Sequence, residues 1–524
     1  MTSTRSLETV PSTPGLQRQA ANGVMWSIVA SGSQQVLSLL IFAILARQLT
    51  PLEFGIMGMA AIFLEIVNLI GRAGLIEVLV QRKDLSEDET STAFWSSLAL
   101  GLLGTLLLWG GAGLISAFFQ VPEVARVVQW LALVPTINAM ATVHEALLRR
   151  VMGFRILALR GMAGTLVSGG VAVLMATTGF GVMSLVAQSL VAAVLTTGVM
   201  WYCTRWTPSL AFVVPEFKRQ MRMGTTLCVS TLLGMGNQRI VDLVVGHVLG
   251  AVSLGYMRVA WRGFDTLLDL GMRPVVQVTF PVFSRLQQDL IALSSAYIRL
   301  ARLTALIIYP IFIGSILVAP EIIRLAFGDQ WESSIVPMQV LALSVLSMPM
   351  IYFKSNALVA VGHARPVLWL NVLEFGVSFG IVFVLCRYGI EGAAWGNVLR
   401  VIVVAPPIMW ALQHYVGIHW KQLLGSMIPA TVCTGLMVAA ALAVRLALAP
   451  YFSAAGLLVA IVTAGAICYG LVLVLLYRGL FDELVTMLPG RIGRLAGVLN
   501  VWKARGEAGG AASKDRQAEV FQKK

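Results

Sequence analysis

Long apolar runs separated by short polar stretches set the pattern of this chain. Runs of the roughly 20 apolar residues that a helix needs to cross a bilayer fall near 24–45, 55–71, 93–118, 127–146, 156–177, 180–202, 225–249, 259–280, 302–324, 335–358, 367–386, 390–413, 424–447 and 454–477. The second and eighth carry charges. The pattern predicts an all-α integral membrane protein of about fourteen transmembrane helices. Composition supports that: 58% of residues are hydrophobic and only 12% are charged, about half the charged share of a soluble domain.

The flanking segments differ in kind. The first 23 residues are polar, and the run at 24–45 is longer than a signal-peptide core and lacks a small-x-small cleavage site, so it reads as a span. After Arg478, the apolar positions Leu488, Ile492, Leu495, Val498 and Trp502 recur at helical spacing among Arg491, Arg494 and Lys503. That segment is expected to lie on the inner leaflet, and the Gly/Ala-rich, charged stretch beyond Gly506 is expected to be disordered.

The net charge of +13 is spread over short loops, whereas a nucleic-acid binder would gather it on one face or arm. Topology explains the spread. With the N-terminus in the cytoplasm, inside segments hold Arg5, Arg18, Arg82, Lys83, Arg149, Arg150, Arg155, Arg205, Lys218, Arg219, Arg222, Arg285, Arg299, Arg365, Lys421 and the basic C-terminal tail. Outside loops hold mainly Arg47, Arg126, Arg258, Arg387 and Arg445. The positive-inside bias places both termini in the cytoplasm.

An internal repeat organises the spans. Residues 49–60 align with 249–260 at an offset of 200, with Leu, Gly, Met and Ala shared at 49/249, 55/255, 57/257 and 60/260. At the same offset Glu65 meets Asp265 and Gly71 meets Gly271. Six helices separate the copies, so both run in the same direction, as in transporters built from parallel repeats. The expected organisation is a cytoplasmic tail (1–23), an N-lobe of six spans (24–210), a C-lobe of six (211–420), two added helices (421–478) and a basic, partly disordered tail (479–524). A cavity is expected between the lobes.

Ionisable groups inside a membrane are costly and usually face a cavity or a partner. Arg258, Arg262, Asp265, Asp269 and Arg273 follow one another in steps of four, three, four and four, which puts all five on one helix face. The stripe reads either as a polar cavity wall, with arginines able to fork onto phosphate, or as internal pairing of Arg262 with Asp265 or Asp269 and of Asp269 with Arg273. Glu65 and Arg72 repeat the theme on the second span. Arg239 and Asp242 are neighbours on the seventh and read equally as a substrate contact, an ion site or a buried lock. Lys354, Glu374 and Arg400 are secondary candidates for a cavity in the C-lobe. His144 and Glu145 read as interfacial, and Ser86 with Glu89 as a capping box.

Five scattered cysteines, Cys203, Cys228, Cys386, Cys433 and Cys468, read as packing residues, with neither metal-ligand nor redox spacing. No phosphate-binding glycine loop, paired zinc ligands or nucleophile elbow occurs. No catalytic residue, cofactor or metal is expected.

Certain stretches resemble the polysaccharide-exporter (Wzx-type) flippases of the multidrug/oligosaccharidyl-lipid/polysaccharide superfamily. They are 45–55 (Leu-Ala-Arg-Gln-Leu-Thr-Pro-Leu-Glu-Phe-Gly), 80–86 (Val-Gln-Arg-Lys-Asp-Leu-Ser) with Ala93-Phe94-Trp95, Asp242 through Leu254-Gly255-Tyr256, and 280–286 (Phe-Pro-Val-Phe-Ser-Arg-Leu). The resemblance covers about 20–480. It implies a flippase for undecaprenyl-diphosphate-linked oligosaccharide repeat units in the bacterial inner membrane, serving exopolysaccharide, capsule or O-antigen synthesis. Partners implied are the lipid-linked glycan, membrane lipids, glycosyltransferases and a polysaccharide polymerase. Under that reading Arg258, Arg262, Arg273, Arg239 and Arg72 would hold the diphosphate. Asp242, Asp265, Asp269 and Glu65 would couple to an ion gradient or neutralise the empty cavity. The alternatives are a MATE-like, ion-driven exporter, which would favour an acidic, aromatic cavity, and a membrane-embedded polymerase or ligase, which would favour a large periplasmic loop.

Overall fold

The computed structural model describes residues 32–487 apart from 73 and 83; a few further side chains, Arg273 and several neighbours in the same helix among them, also lie outside the described set. The N-terminal tail, the start of the first span and the amphipathic segment beyond 487 therefore fall outside it as well.

The described chain is helical throughout, with no strand. Helix α1 runs from 32 to 48. It is followed by α2 (Pro51–Arg72), α3 (Leu75–Gln81), α4 (Glu87–Phe119), α5 (Glu123–Leu131), α6 (Leu133–Arg150), α7 (Phe154–Thr177) and α8 (Met183–Thr204). The second half comprises α9 (Val214–Arg285), α10 (Leu290–Ala326), the short pieces α11 (Ile335–Leu343), α12 (Met348–Ile351) and α13 (Lys354–Ala360), then α14 (Ala364–Leu385), α15 (Gly389–Val416), α16 (Trp420–Leu448), α17 (Ala454–Leu476) and α18 (Arg478–Met487).

Eleven segments among the described residues are long and apolar enough to cross a membrane, against the fourteen that the sequence pattern predicts. The difference arises at three places. The described part of α1 is short. At the seventh and eighth spans the segment found is Arg239–Asp269, because several side chains on either side of it lie outside the described set, and the eleventh and twelfth join as Arg365–Val416 across Gly389. Large apolar side chains point outward, including Leu114 (78% exposed), Trp369 (72%) and Leu475 (77%). Such an apolar exterior belongs in lipid.

Local sequence sets the helix ends. At the start of α2 the Glu53 carboxylate accepts from Thr50 N (2.7 Å) and Thr50 Oγ1 (2.9 Å), and Pro51 fills the first turn, where no amide partner is needed. Ser86 and Glu89 form the predicted capping box at α4. Asp289 caps α10 through the amides of Ile291 (3.0 Å) and Ala292 (2.9 Å). Helix α9 breaks at Gly250 (φ 82°, ψ −177°), a backbone state that only glycine adopts without strain.

That break lets the two repeat copies meet. A Cβ on Gly55 would overlap the Ala251 carbonyl, and one on Gly255 would overlap the Pro51 carbonyl. The two contacts exchange under the 200-residue offset. Nearby, Trp331 is fully buried against the α1–α2 turn, its Nε1 donating to Ala46 O (2.8 Å) and its ring edge-on to Phe54 at 5.2 Å. Gln330 donates to the same carbonyl, and Arg47 reaches back to the Leu325 and Ala326 carbonyls. Helix-end carbonyls are thus satisfied across a seam whose centre, Trp331, is buried while Arg47 and Gln330 stand at its exposed edge.

Candidate functional site

Beside this seam lies a cavity of about 630 Å³, within the range of small-molecule sites. Helices α1, α2 and α8 supply Phe42, Phe54, Met57, Gly58 and Gln188, while α9 and α13–α15 supply the charged groups. Five cations (Arg239, Arg258, Arg262, Lys354, Arg400) and three carboxylates (Asp242, Asp265, Glu374) line it.

The first charged network joins α2 to α9. Arg239 forks onto Glu65, with Nε to Oε2 at 2.6 Å and Nη2 to Oε1 at 2.9 Å, the planar bidentate geometry that guanidinium makes with carboxylate or phosphate. Its Nη1 donates to Asp242 Oδ2 at 3.2 Å, and Arg258 Nη1 approaches the same oxygen at 3.4 Å. Arg258 Nη2 also donates to Gly58 O at 3.3 Å. Glycine at 58 keeps α2 thin there, since a Cβ would come within 3.0 Å of Arg258 Nε. Two arginines thus share two carboxylates, and the group is neutral.

Arg262 stands apart. Its Nη2 donates to Ser38 Oγ (2.8 Å), its guanidinium lies 5.4 Å from the centre of the Phe42 ring, and its buried Nε has no partner. It makes no ion pair with Asp265 or Asp269, so the internal pairing considered for this arginine does not form. Asp265 faces the cavity. Asp269 accepts from Gln35 Nε2 at 2.9 Å, tying α1 to α9, and is not part of the lining.

The second network lies within α13–α15. Glu374 accepts from Lys354 Nζ (2.6 Å) and Arg400 Nη1 (2.9 Å), and Arg400 Nη2 donates to Asn397 Oδ1 (3.0 Å). The three secondary candidates from three predicted spans therefore converge on one point.

Other candidates fall elsewhere. Arg72 ends α2 outside the lining, and the side chain of Arg273 is not among those described. His144 and Glu145, read from sequence as interfacial, are buried. Glu145 sits between Arg149 (2.6 Å) and Arg160 (3.3 Å), and those partners offset the cost of removing it from water. Sequence reading missed Ser38, Gln35 and Asn397, uncharged polar residues with no periodic signal, and Trp331, whose one cue is a tryptophan in a short predicted loop.

Comparison with known proteins places this geometry in a family. The profile described as "Polysaccharide biosynthesis protein" matches residues 44–336. The teichuronic acid biosynthesis protein TuaB of Bacillus subtilis (strain 168) is 23% identical over 497 residues, spanning 92% of this chain and 100% of that protein. The lipopolysaccharide biosynthesis protein WzxC of Escherichia coli (strain K12) is 23% identical over 331 residues, 63% of this chain and 67% of that one. Among solved structures, the lipid II flippase MurJ in an inward closed conformation superimposes with a TM-score of 0.71 at 12% identity, over 87% of this chain and all of MurJ. An inward-facing multidrug resistance MATE transporter gives 0.57 at 19% identity, over 75% and 98%. These likenesses show an all-helical fold shared with MurJ and the MATE transporter, and the profile match over more than half of its length shows that this chain belongs to the polysaccharide biosynthesis protein family.

Proposed function

We propose that this protein is a flippase that carries undecaprenyl-diphosphate-linked oligosaccharide repeat units across the bacterial inner membrane for surface-polysaccharide synthesis. The observation that carries the reading is the membrane-embedded cavity with five cationic against three acidic lining side chains, a surplus that remains at one when Glu65, the partner of Arg239, is counted with them. A diphosphate-sugar head is bulky, hydrated and anionic. It needs a polar chamber with fixed positive charge, while a polyprenyl tail is already at home in lipid. Relatives named for teichuronic acid and lipopolysaccharide biosynthesis point to the same substrate class. A cation-exporting chamber fits the charge balance poorly, and transport of this kind makes and breaks no covalent bond.

Residues 24–210 and 211–420 act as two lobes, with 421–478 as added helices. The positive-inside bias puts both termini and the wider cationic loops in the cytoplasm, so the glycine and Trp331 seam closes the periplasmic side. Arg262, whose fork no carboxylate occupies, meets the diphosphate first, with Arg258 beside it; Arg273 joins them by its spacing in the sequence. Arg239 is held by Glu65 until phosphate oxygens of the same geometry compete for it. Releasing Glu65 removes the ion-pair tie between α2 and α9 on the cavity side of their glycine contacts and lets the lobes rock around the cavity. Asp242, Asp265, Asp269 and the freed Glu65 keep the empty chamber neutral or take up coupling ions.

The test is a host strain lacking this gene. Lipid-linked repeat units should accumulate on the cytoplasmic leaflet and surface polymer should disappear. The native gene should reverse both, and Arg258→Ala/Arg262→Ala should reverse neither. Normal polymer in the deletion strain, with no second flippase gene present, would contradict the reading.

A further inference from the structure

The Lys354–Glu374–Arg400 group is a second, independent cationic pole of the cavity. Two cations share one carboxylate, so the group carries a net charge of +1. It is nearly dry, with the three side chains 11%, 17% and 15% exposed. A net charge in such a place is costly unless something offsets it. Glu374 and Asn397 each accept one hydrogen bond from a different Nη of Arg400, which leaves each Nη a second N–H. Its Nε is buried without a partner. Lys354 spends one donor on Glu374, and an ammonium has three.

This donor set differs from that around Arg262. A diphosphate carries more than one charge and suits several free guanidinium forks. A lysine ammonium is a point charge, and one additional carboxylate would bring this group to neutrality. All three residues line the same chamber as Arg239, Arg258 and Arg262. One cargo can therefore reach both poles.

The geometry points to a glycan subsite at Lys354 and Arg400 that takes a carboxylate-bearing sugar of the cargo. The inference rests on the flippase reading and narrows its substrate class to acidic repeat units. Lys354 is the specificity-determining residue, and Glu374 positions it.

The test uses purified full-length protein in proteoliposomes and two synthetic polyprenyl-diphosphate trisaccharides that differ in one residue, glucuronosyl against glucosyl. Native protein should flip the acidic cargo at least about tenfold faster, the worth of one charge-assisted hydrogen bond. Lys354→Gln leaves Glu374 paired with Arg400, so the fold keeps its partners. It should erase the preference, so that the two cargoes flip at equal rates, and Lys354→Arg should restore it. Equal rates for both cargoes in the native protein would overturn the subsite. Equal slowing of both by Lys354→Gln would overturn it too, since the pole would then serve the shared diphosphate. Flipping of neither cargo by folded native protein would remove the flippase reading itself, and the subsite with it.

Discussion

The two charged networks of the cavity differ in what they join. Glu65 and Arg239 lie 174 residues apart and tie α2 to α9, across the boundary between the repeat copies. Lys354, Glu374 and Arg400 lie within 46 residues (400 minus 354) in neighbouring helices of one half. The first network is neutral, with Arg239 and Arg258 set against Glu65 and Asp242. The second carries a surplus cation. A contact that opens and closes in each transport cycle exposes its charges to a changing environment, so neutrality there limits the cost of moving while empty. Fixed positive charge belongs where nothing has to separate. On the proposed function the joint would open as a latch, and the other pole would stay a fixed feature of the chamber.

Substitutions break this contrast in descending order of effect. Arg239→Ala leaves Glu65 without its partner and Asp242 with Arg258 alone, and should lower stability by about 1–3 kcal/mol and abolish transport, as read by thermal unfolding in detergent and by flipping rate. Little loss of stability would mean that the latch is not a closed pair. Glu65→Gln keeps the shape and removes the charge. It should leave the fold intact, slow flipping roughly tenfold and raise cross-linking-detected separation of α2 from α9 without cargo. Lys354→Gln should change stability by less than about 1 kcal/mol because Glu374 retains Arg400; a larger loss would make that pole structural. Arg72→Ala, at a site outside the lining, should change flipping by less than about twofold. A strong effect would bring Arg72 back to the cargo path.

The fold was legible because lipid imposes a simple code, in which long apolar runs become helices. Legibility failed where that code is locally suspended. The break at Gly250 sits between two charged spans, where hydropathy blurs but the 200-residue repeat, with Gly55 against Gly255, marks the place. For the site, the stripe on α9 identified Arg258, Arg262 and Asp265 as one face, and these line the cavity. Spacing could not show that Arg239 is held by Glu65 from another helix, nor that Lys354, Glu374 and Arg400 converge, because both arrangements depend on tertiary packing. Arg72 sits at Glu65's face by helical spacing, yet α2 ends there and carries it past the chamber. Glu145 looked interfacial because its partner Arg160 comes from the next helix.

The central claim is that the cationic cavity moves a lipid-linked glycan between leaflets. The most direct measurement is flipping in proteoliposomes loaded with the host's own lipid-linked oligosaccharide, followed by its exposure to an external sugar-modifying enzyme. Native protein is expected to expose the inner-leaflet pool within minutes, and Arg258→Ala/Arg262→Ala to leave it protected. An inner pool that stays protected with folded native protein, with and without an ion gradient, would contradict the account.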